Sequence, residues 1–317
     1  MVLLDIKFDN KEHLFCYDEI LLALAKWKNI DCNHIYIYRW GFDFNVEKAD
    51  ESGRIGSAIN ILEHKLDKPF YDQLGIKAIH NKITKINQDI LNIIISTIKY
   101  NKVPVAILFD SYYNPMHKNY KKMHVYYYIL LIGVSANESF YFLDNQHKEK
   151  LEEIKYIDIM ENTIEFCIFE FYKPHLSNIS LYEETKKIVS ESLKNNYLYN
   201  VLNDFIKYIS ILSVKKETEY SSDNIFFCEL YHKLFIIENF KKTFINSFIY
   251  INEFEHKNCI EITNEILKKD VNYWWTIRML IGKECMSGKC REHVIIPKIK
   301  LLFEKIRNIE MEFALCF

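Results

Sequence analysis

The stretch Val125-Tyr126-Tyr127-Tyr128-Ile129-Leu130-Leu131-Ile132-Gly133-Val134 decides the fold. Its β-branched, aromatic and aliphatic residues suit a pleated, buried surface, and it is far too short for the ~20 residues of a membrane-spanning helix. It reads as a core strand. Working outward, Val103 to Phe109 and Ser139 to Asp144 repeat this composition on either side, and Thr163 to Phe171 adds a fourth strand. The short connection Ser135 to Glu138 makes the middle pair a hairpin.

Upstream, Ile20, Leu21, Leu24 and Trp27 recur at three- to four-residue spacing and predict a helix over Cys16 to Lys28. His34 to Trp40 alternates Ile35 and Ile37 with Tyr36 and Tyr38, as a short strand would. Gly53 to Gly75 reads as loop with a short helix near Ile59 to Lys65, and Ile79, Ile83, Ile86, Ile90, Ile94 and Ile98 trace one face of a long helix over Ala78 to Tyr100. After Pro174 the pattern turns helical, over Leu181 to Ser213, Asn224 to Glu253, Asn258 to Ile281 and Pro297 to Ala314. The expected architecture is α+β over residues 1–175, followed by an all-helical domain over 176–317 that packs on the first or covers it.

Composition agrees with two domains. The 317 residues include only 7 glycines and 5 prolines, which favours helix, and Pro104, Pro115 and Gly133 fall inside the strand-rich block. Lys and Arg number 41 against 43 Asp and Glu, so no net positive field exists to gather nucleic acid or an anionic membrane surface. The eight cysteines are irregularly spaced and no basic-then-apolar leader opens the chain; reduced thiols in a cytoplasmic protein are expected.

Cys16 is the most informative residue. A thiol at a helix N-terminus meets unpaired N–H groups and the positive end of the macrodipole, which favour thiolate, although a cysteine so placed is more often structural. A nucleophile needs a base and a group to orient it. His124 precedes the strand that ends near Gly133, and Asp144 closes its hairpin partner; the chain order Cys16, His124, Asp144 supplies nucleophile, base and orienter.

The run Lys102-Val103-Pro104-Val105-Ala106-Ile107-Leu108-Phe109-Asp110, with Tyr112-Tyr113-Asn114-Pro115, Tyr120, His124 and Ile129-Leu130-Leu131-Ile132-Gly133, resembles the central block of butirosin biosynthesis protein H and its relatives. The resemblance covers residues 10 to 150 and extends to the helical remainder only in general character. It implies a papain-like fold with Cys16, in Leu14-Phe15-Cys16-Tyr17-Asp18-Glu19-Ile20, at the start of the central helix. The implied activity is N-acyl transfer, as in closthioamide-type assembly lines: a chain passes from a carrier-protein thioester to the cysteine and then to a small amine. The implied partners are an acyl or peptidyl carrier protein, which brings phosphopantetheine, and the amine acceptor; no bound cofactor is expected, and a homodimer is left open.

One departure stands out. The resemblance places a histidine six residues before the strand-closing Gly133, and this chain has Tyr127 there. His124 lies nine before it, an odd displacement that puts it on the opposite face unless a bulge turns it inward. His124 is then the base, with His117 in reserve, or the base is lost and the chain is a binding or scaffold protein. A peptidase or thioesterase with the same triad is the other alternative. By the same resemblance Asn10, six residues before Cys16, stands where an oxyanion donor belongs, or else caps or turns its loop; Asp110 and Tyr112 would position the amine, or else are a strand end and a packed tyrosine, and Asn145 could replace Asp144.

Outside this block, Cys285-x4-Cys290-x2-His293 lacks a fourth ligand, so no metal site is expected. Trp274-Trp275 reads as core or as the wall of an acyl tunnel, and Lys121-Lys122 and Lys241-Lys242 read as solvated faces or as a guide for an acidic carrier protein.

Overall fold

A computed structural model describes residues 2–8, 15–61, 67–145, 150–173, 180–194, 197–219, 225, 228–255, 260–287 and 292–315. In chain order it holds β1 (Val2–Leu3), α1 (Cys16–Trp27), a 3-10 turn (Ile35–Arg39), β2 (Asp43–Phe44), α2 (Val46–Ser52), α3 (Ile55–Ala58), β3 (Ile59–Asn60), α4 (Asp67–Leu74), β4 (Ile76–Lys82) and α5 (Gln88–Lys99). Next come β5 (Val105–Asp110), a 3-10 turn (Ser111–Tyr113), β6 (Tyr126–Val134), β7 (Ser139–Leu143), β8 (Glu152–Lys155), α6 (Tyr156–Asn162) and β9 (Thr163–Phe171). The rest is helical: α7 (Leu181–Leu193), α8 (Tyr197–Ile209), α9 (Val214–Thr218), α10 (Glu229–Phe254), α11 (Ile260–Ser287) and α12 (Glu292–Leu315). The protein is α+β, with an antiparallel sheet and a helical C-terminal region.

Two compact units divide it, Met1–Cys32 with Asp67–Leu176, and Asn33–Leu66 with Ser177–Phe317. Residues 33–66, expected in the N-terminal domain, therefore belong with the C-terminal helices. Ile35–Arg39 is a 3-10 turn where a short strand is expected over 34–40. Both parities of this segment are buried, so its apolar-aromatic alternation does not mark a half-exposed strand; it forms a 3-10 turn packed on α10.

In the first unit the strands are ordered β4-β9-β5-β6-β7-β8, with β1 pairing the end of β6. One face meets α5: Val105, Ile107, Phe109, Tyr127, Ile129, Leu131 and Phe140 pack with Ile86, Leu91, Ile94 and Ile98. α1 lies along β6, burying Ile20, Leu21 and Leu24. The long helix expected over 78–100 is instead strand plus helix. Asn87 caps α5 by accepting from the Ile90 N–H at 2.9 Å, and residues 76–82 pair with β9. Gly133 is dictated by close approach: a Cβ there would stand 2.6 Å from the carbonyl oxygen of Val2, where β1 crosses.

In the second unit α10, α11 and α12 pack side by side, with α8 against α12. Trp274 is fully buried among Phe42 and Phe303, with ring centroids 5.4 and 5.3 Å away, which settles it as core, whereas Trp275 is exposed. The single helix expected over 181–213 is two, α7 and α8, and α12 begins at Glu292 with Pro297 inside it. Within the core Lys241 of α10 pairs with Glu310 of α12 at 2.8 Å, beside the buried carboxyl of Asp270 on α11. Lys241 is thus an interior cation, not part of a solvated face.

Candidate functional site

The first turn of α1 places Cys16 half-buried against the α5-side core, its sulfur accepting from the Tyr128 N–H of β6 at 3.4 Å. The helix start does not produce the expected thiolate. Burial pushes the Cys16 thiol up to about 11, and the carboxylates of Asp18 and Asp144 add to the rise against the lowering effect of the Tyr128 and Tyr17 N–H groups. Asp18 and Glu19 occupy the first turn, and Asp18 accepts from the Phe15 N–H at 3.3 Å. The positive end of the helix thus already faces acidic side chains.

Asp144, at the end of β7, is completely buried. It does not orient His124. Its Oδ2 accepts from the Tyr127 hydroxyl at 2.9 Å and from the Asn114 amide at 3.3 Å, and that amide also donates to the Tyr127 oxygen at 2.7 Å. Desolvation first, and then the Asp144 charge, raise the Tyr127 pKa far above its ordinary value. The phenol therefore stays a donor at any physiological pH. Tyr127 reaches Asp144 because β6 alternates regularly from Tyr126 to Tyr128 against β5; the irregularity of β6 falls between Leu131 and Gly133 instead.

His124 stands before β6, outside the ladder, with its side chain 60% exposed. The bulge that would have turned it inward is not present. Its Nδ1 meets Asp110 Oδ2 at 2.6 Å, and its ring stacks on Tyr112 with centroids 4.2 Å apart. Asp110 and Tyr112 are therefore brought to His124, while Tyr127 is bonded to Asp144 and Cys16 packs against the core cluster that includes Tyr127. His117 is buried and packs on Tyr127 at 4.6 Å, with its Nδ1 accepting from the Asn119 N–H at 3.1 Å. Asn145 follows Asp144, half-buried, and Asn10 lies outside the described residues. Cys290 also lies outside them, His293 is exposed, and the Cys285 thiol is engaged with that of Cys228.

Sequence reasoning missed Asn114, the residue that ties Tyr127 to Asp144. It appeared only as part of the Tyr-Tyr-Asn-Pro loop, and its full burial is the feature a sequence does not print. A cavity of about 430 Å³ opens beside it, lined by Asn114, Met116, Phe142, Leu151, Glu152 and Ile154 among others. On the α1 side of the sheet a second polar line was also missed: Glu165 accepts from Tyr128 at 2.5 Å and pairs with His80 at 2.7 Å, and His80 Nε2 meets the Tyr17 hydroxyl at 3.0 Å.

No protein-family model matches the chain, and no curated protein matches it. Among the described residues, no helix is long and apolar enough to cross a membrane, and no group of three or more His, Cys, Asp and Glu side chains is placed to hold a metal ion.

Proposed function

We propose that the chain is a binding protein built on a papain-like acyltransferase frame, in which the cavity beside Asn114 takes up an acyl or peptidyl chain presented by a carrier protein and Cys16 remains a thiol. The observation that carries this reading is the Tyr127–Asp144 hydrogen bond of 2.9 Å, at the strand position where the resemblance implies an imidazole. A phenol with a strongly raised pKa accepts no proton from a neighbouring thiol, so Tyr127 does not supply the base that forming an acyl-cysteine requires. Phe142, Leu151, Ile154 and Met116 give the cavity the apolar lining an acyl chain needs. Intact-protein mass spectrometry after incubation with an acylated carrier protein tests this. The expected result is a complex without a covalent adduct; an adduct present in the wild type and lost in Cys16→Ala overturns it.

A second reading is favoured by the His124–Asp110 pair. A carboxylate 2.6 Å from the Nδ1 of an exposed imidazole has the form of a base with its orienter. On this reading the chain is a cysteine-dependent N-acyltransferase. Cys16 takes the acyl group from the phosphopantetheine thioester, the carrier thiol leaves, and an amine then displaces Cys16 to form the amide, with His124 accepting the ammonium proton. Amide product that disappears in both Cys16→Ala and His124→Ala identifies it; release of free acid points to a thioesterase.

A further inference from the structure

The helical unit contains a cavity of about 200 Å³ that the reading above leaves unused. Its walls come from Trp40, Phe42, Phe240 and Tyr197, with Ile61 and Leu198 filling between them. Trp40, Phe42 and Phe240 are buried in the core, so these walls are fixed by packing. The Trp40 indole N–H is already donated to Ser192 at 3.1 Å, which holds that ring in place. Polar groups gather at one edge. Asp43 and Asn60 are cross-strand partners in the β2–β3 pair, and Asp43 accepts from Phe44 N–H at 2.8 Å and from the Tyr197 hydroxyl.

The guanidinium of buried Arg39 lies 4.3 Å from the Phe240 ring centroid, outside the lining itself. No lysine or arginine lines the cavity among the described residues, and Asp43 is the one acidic side chain in that lining. Behind Trp40 the ammonium of Lys241 lies 4.0 Å from the ring centroid, but it is matched by Glu310 at 2.8 Å. A carboxylate at the rim of an aromatic cavity favours a cation: the ammonium takes the remaining Asp43 lone pairs while an apolar body fills the interior against ring faces. We infer that this cavity binds a small amphiphilic organic amine in its ammonium form. The site lies wholly within the second unit and does not depend on Cys16.

Isothermal titration of the full chain with three probes of one shape tests it: phenethylammonium, the neutral phenethyl alcohol and the anionic phenylacetate. The expected order is ammonium first, about tenfold or more tighter than either of the others, as one charge-assisted hydrogen bond provides. Asp43→Asn, at an exposed position, should abolish that preference and leave apolar binding in place. Equal affinity for the three probes in the wild type, or a preference for the anion, overturns the assignment, as does failure of phenethylammonium to bind at millimolar concentration. An ammonium preference that persists in Asp43→Asn overturns it too, and the probe series in the wild type does not depend on the variant folding.

Discussion

Alkylation of Cys16 provides the most direct measure of its environment. Raising a thiol from 9.0 to about 11 lowers its thiolate fraction a hundredfold at pH 8, because each unit is a factor of ten. Iodoacetamide reacts with thiolate, so the rate at the Cys16 peptide, followed by mass spectrometry, should be about a hundredfold below that of the same peptide in the chain unfolded in urea. Steric shielding of the half-buried sulfur slows the reaction as well, but by a factor that does not change with pH. The pH dependence separates the two. Between pH 7 and pH 9.5 the native rate should climb tenfold per unit with no plateau, while the unfolded reference levels off near 9. Tyr127→His should lower the native midpoint, because an imidazole hydrogen-bonded to Asp144 in the core that Cys16 packs against can hold the thiol's proton. A native plateau below pH 9 refutes the account of the site, whatever the absolute rate.

Tyr127→Phe removes one hydrogen bond from a buried carboxylate and should cost about 1.5–3 kcal/mol in urea unfolding. Gly133→Ala forces a Cβ to within 2.6 Å of the Val2 carbonyl oxygen, so it should lower the thermal midpoint, and trimming residues 1–3 should largely relieve the loss. Lys241→Met leaves Glu310 without its 2.8 Å partner in the core and should destabilise the protein by about 3–5 kcal/mol, with Glu310→Gln recovering part of it in a double-mutant cycle. Burial and then the Glu310 charge hold the Asp270 carboxyl well above 3.8, so its folded pKa exceeds the unfolded one. The stability this gives is complete below 3.8 and fades as pH rises through the folded value; Asp270→Asn should remove that decline in a series of unfolding curves against pH.

The strands from Val103 to Phe171 were legible because each is a short run of β-branched and aromatic residues bounded by polar turns, and all four appear in the sheet. The helix at Cys16 was legible from its 3–4 spacing. Residues 76–100 were not, because isoleucines at 79, 83, 86 and 90 continue a helical period across a strand and a loop; only the Asn87 cap marks the change. The division of the chain was hidden for a similar reason, since nothing local tells residues 33–66 which core they join. At the site, the slot of Tyr127 could be counted from Gly133, but the partner of His124 could not. Choosing between Asp110 and Asp144 needs the register of β5 with β6, which puts Asp110 opposite Tyr126 and leaves Asp144 to the residue on the other face.

Asp144 is an acidic side chain buried within the first unit. A carboxylate with no exposed surface is costly unless donors surround it. Tyr127 and Asn114 meet that requirement with hydroxyl and amide donors that carry no charge and do not titrate near neutrality. The arrangement has two consequences. It links β6, the end of β7 and the loop that carries Asn114, and it places the charge of Asp144 where it adds to the rise of the Cys16 thiol. The link that holds Asn114 in the wall of the 430 Å³ cavity therefore adds only a small electrostatic rise to a thiol that burial has already pushed up to about 11.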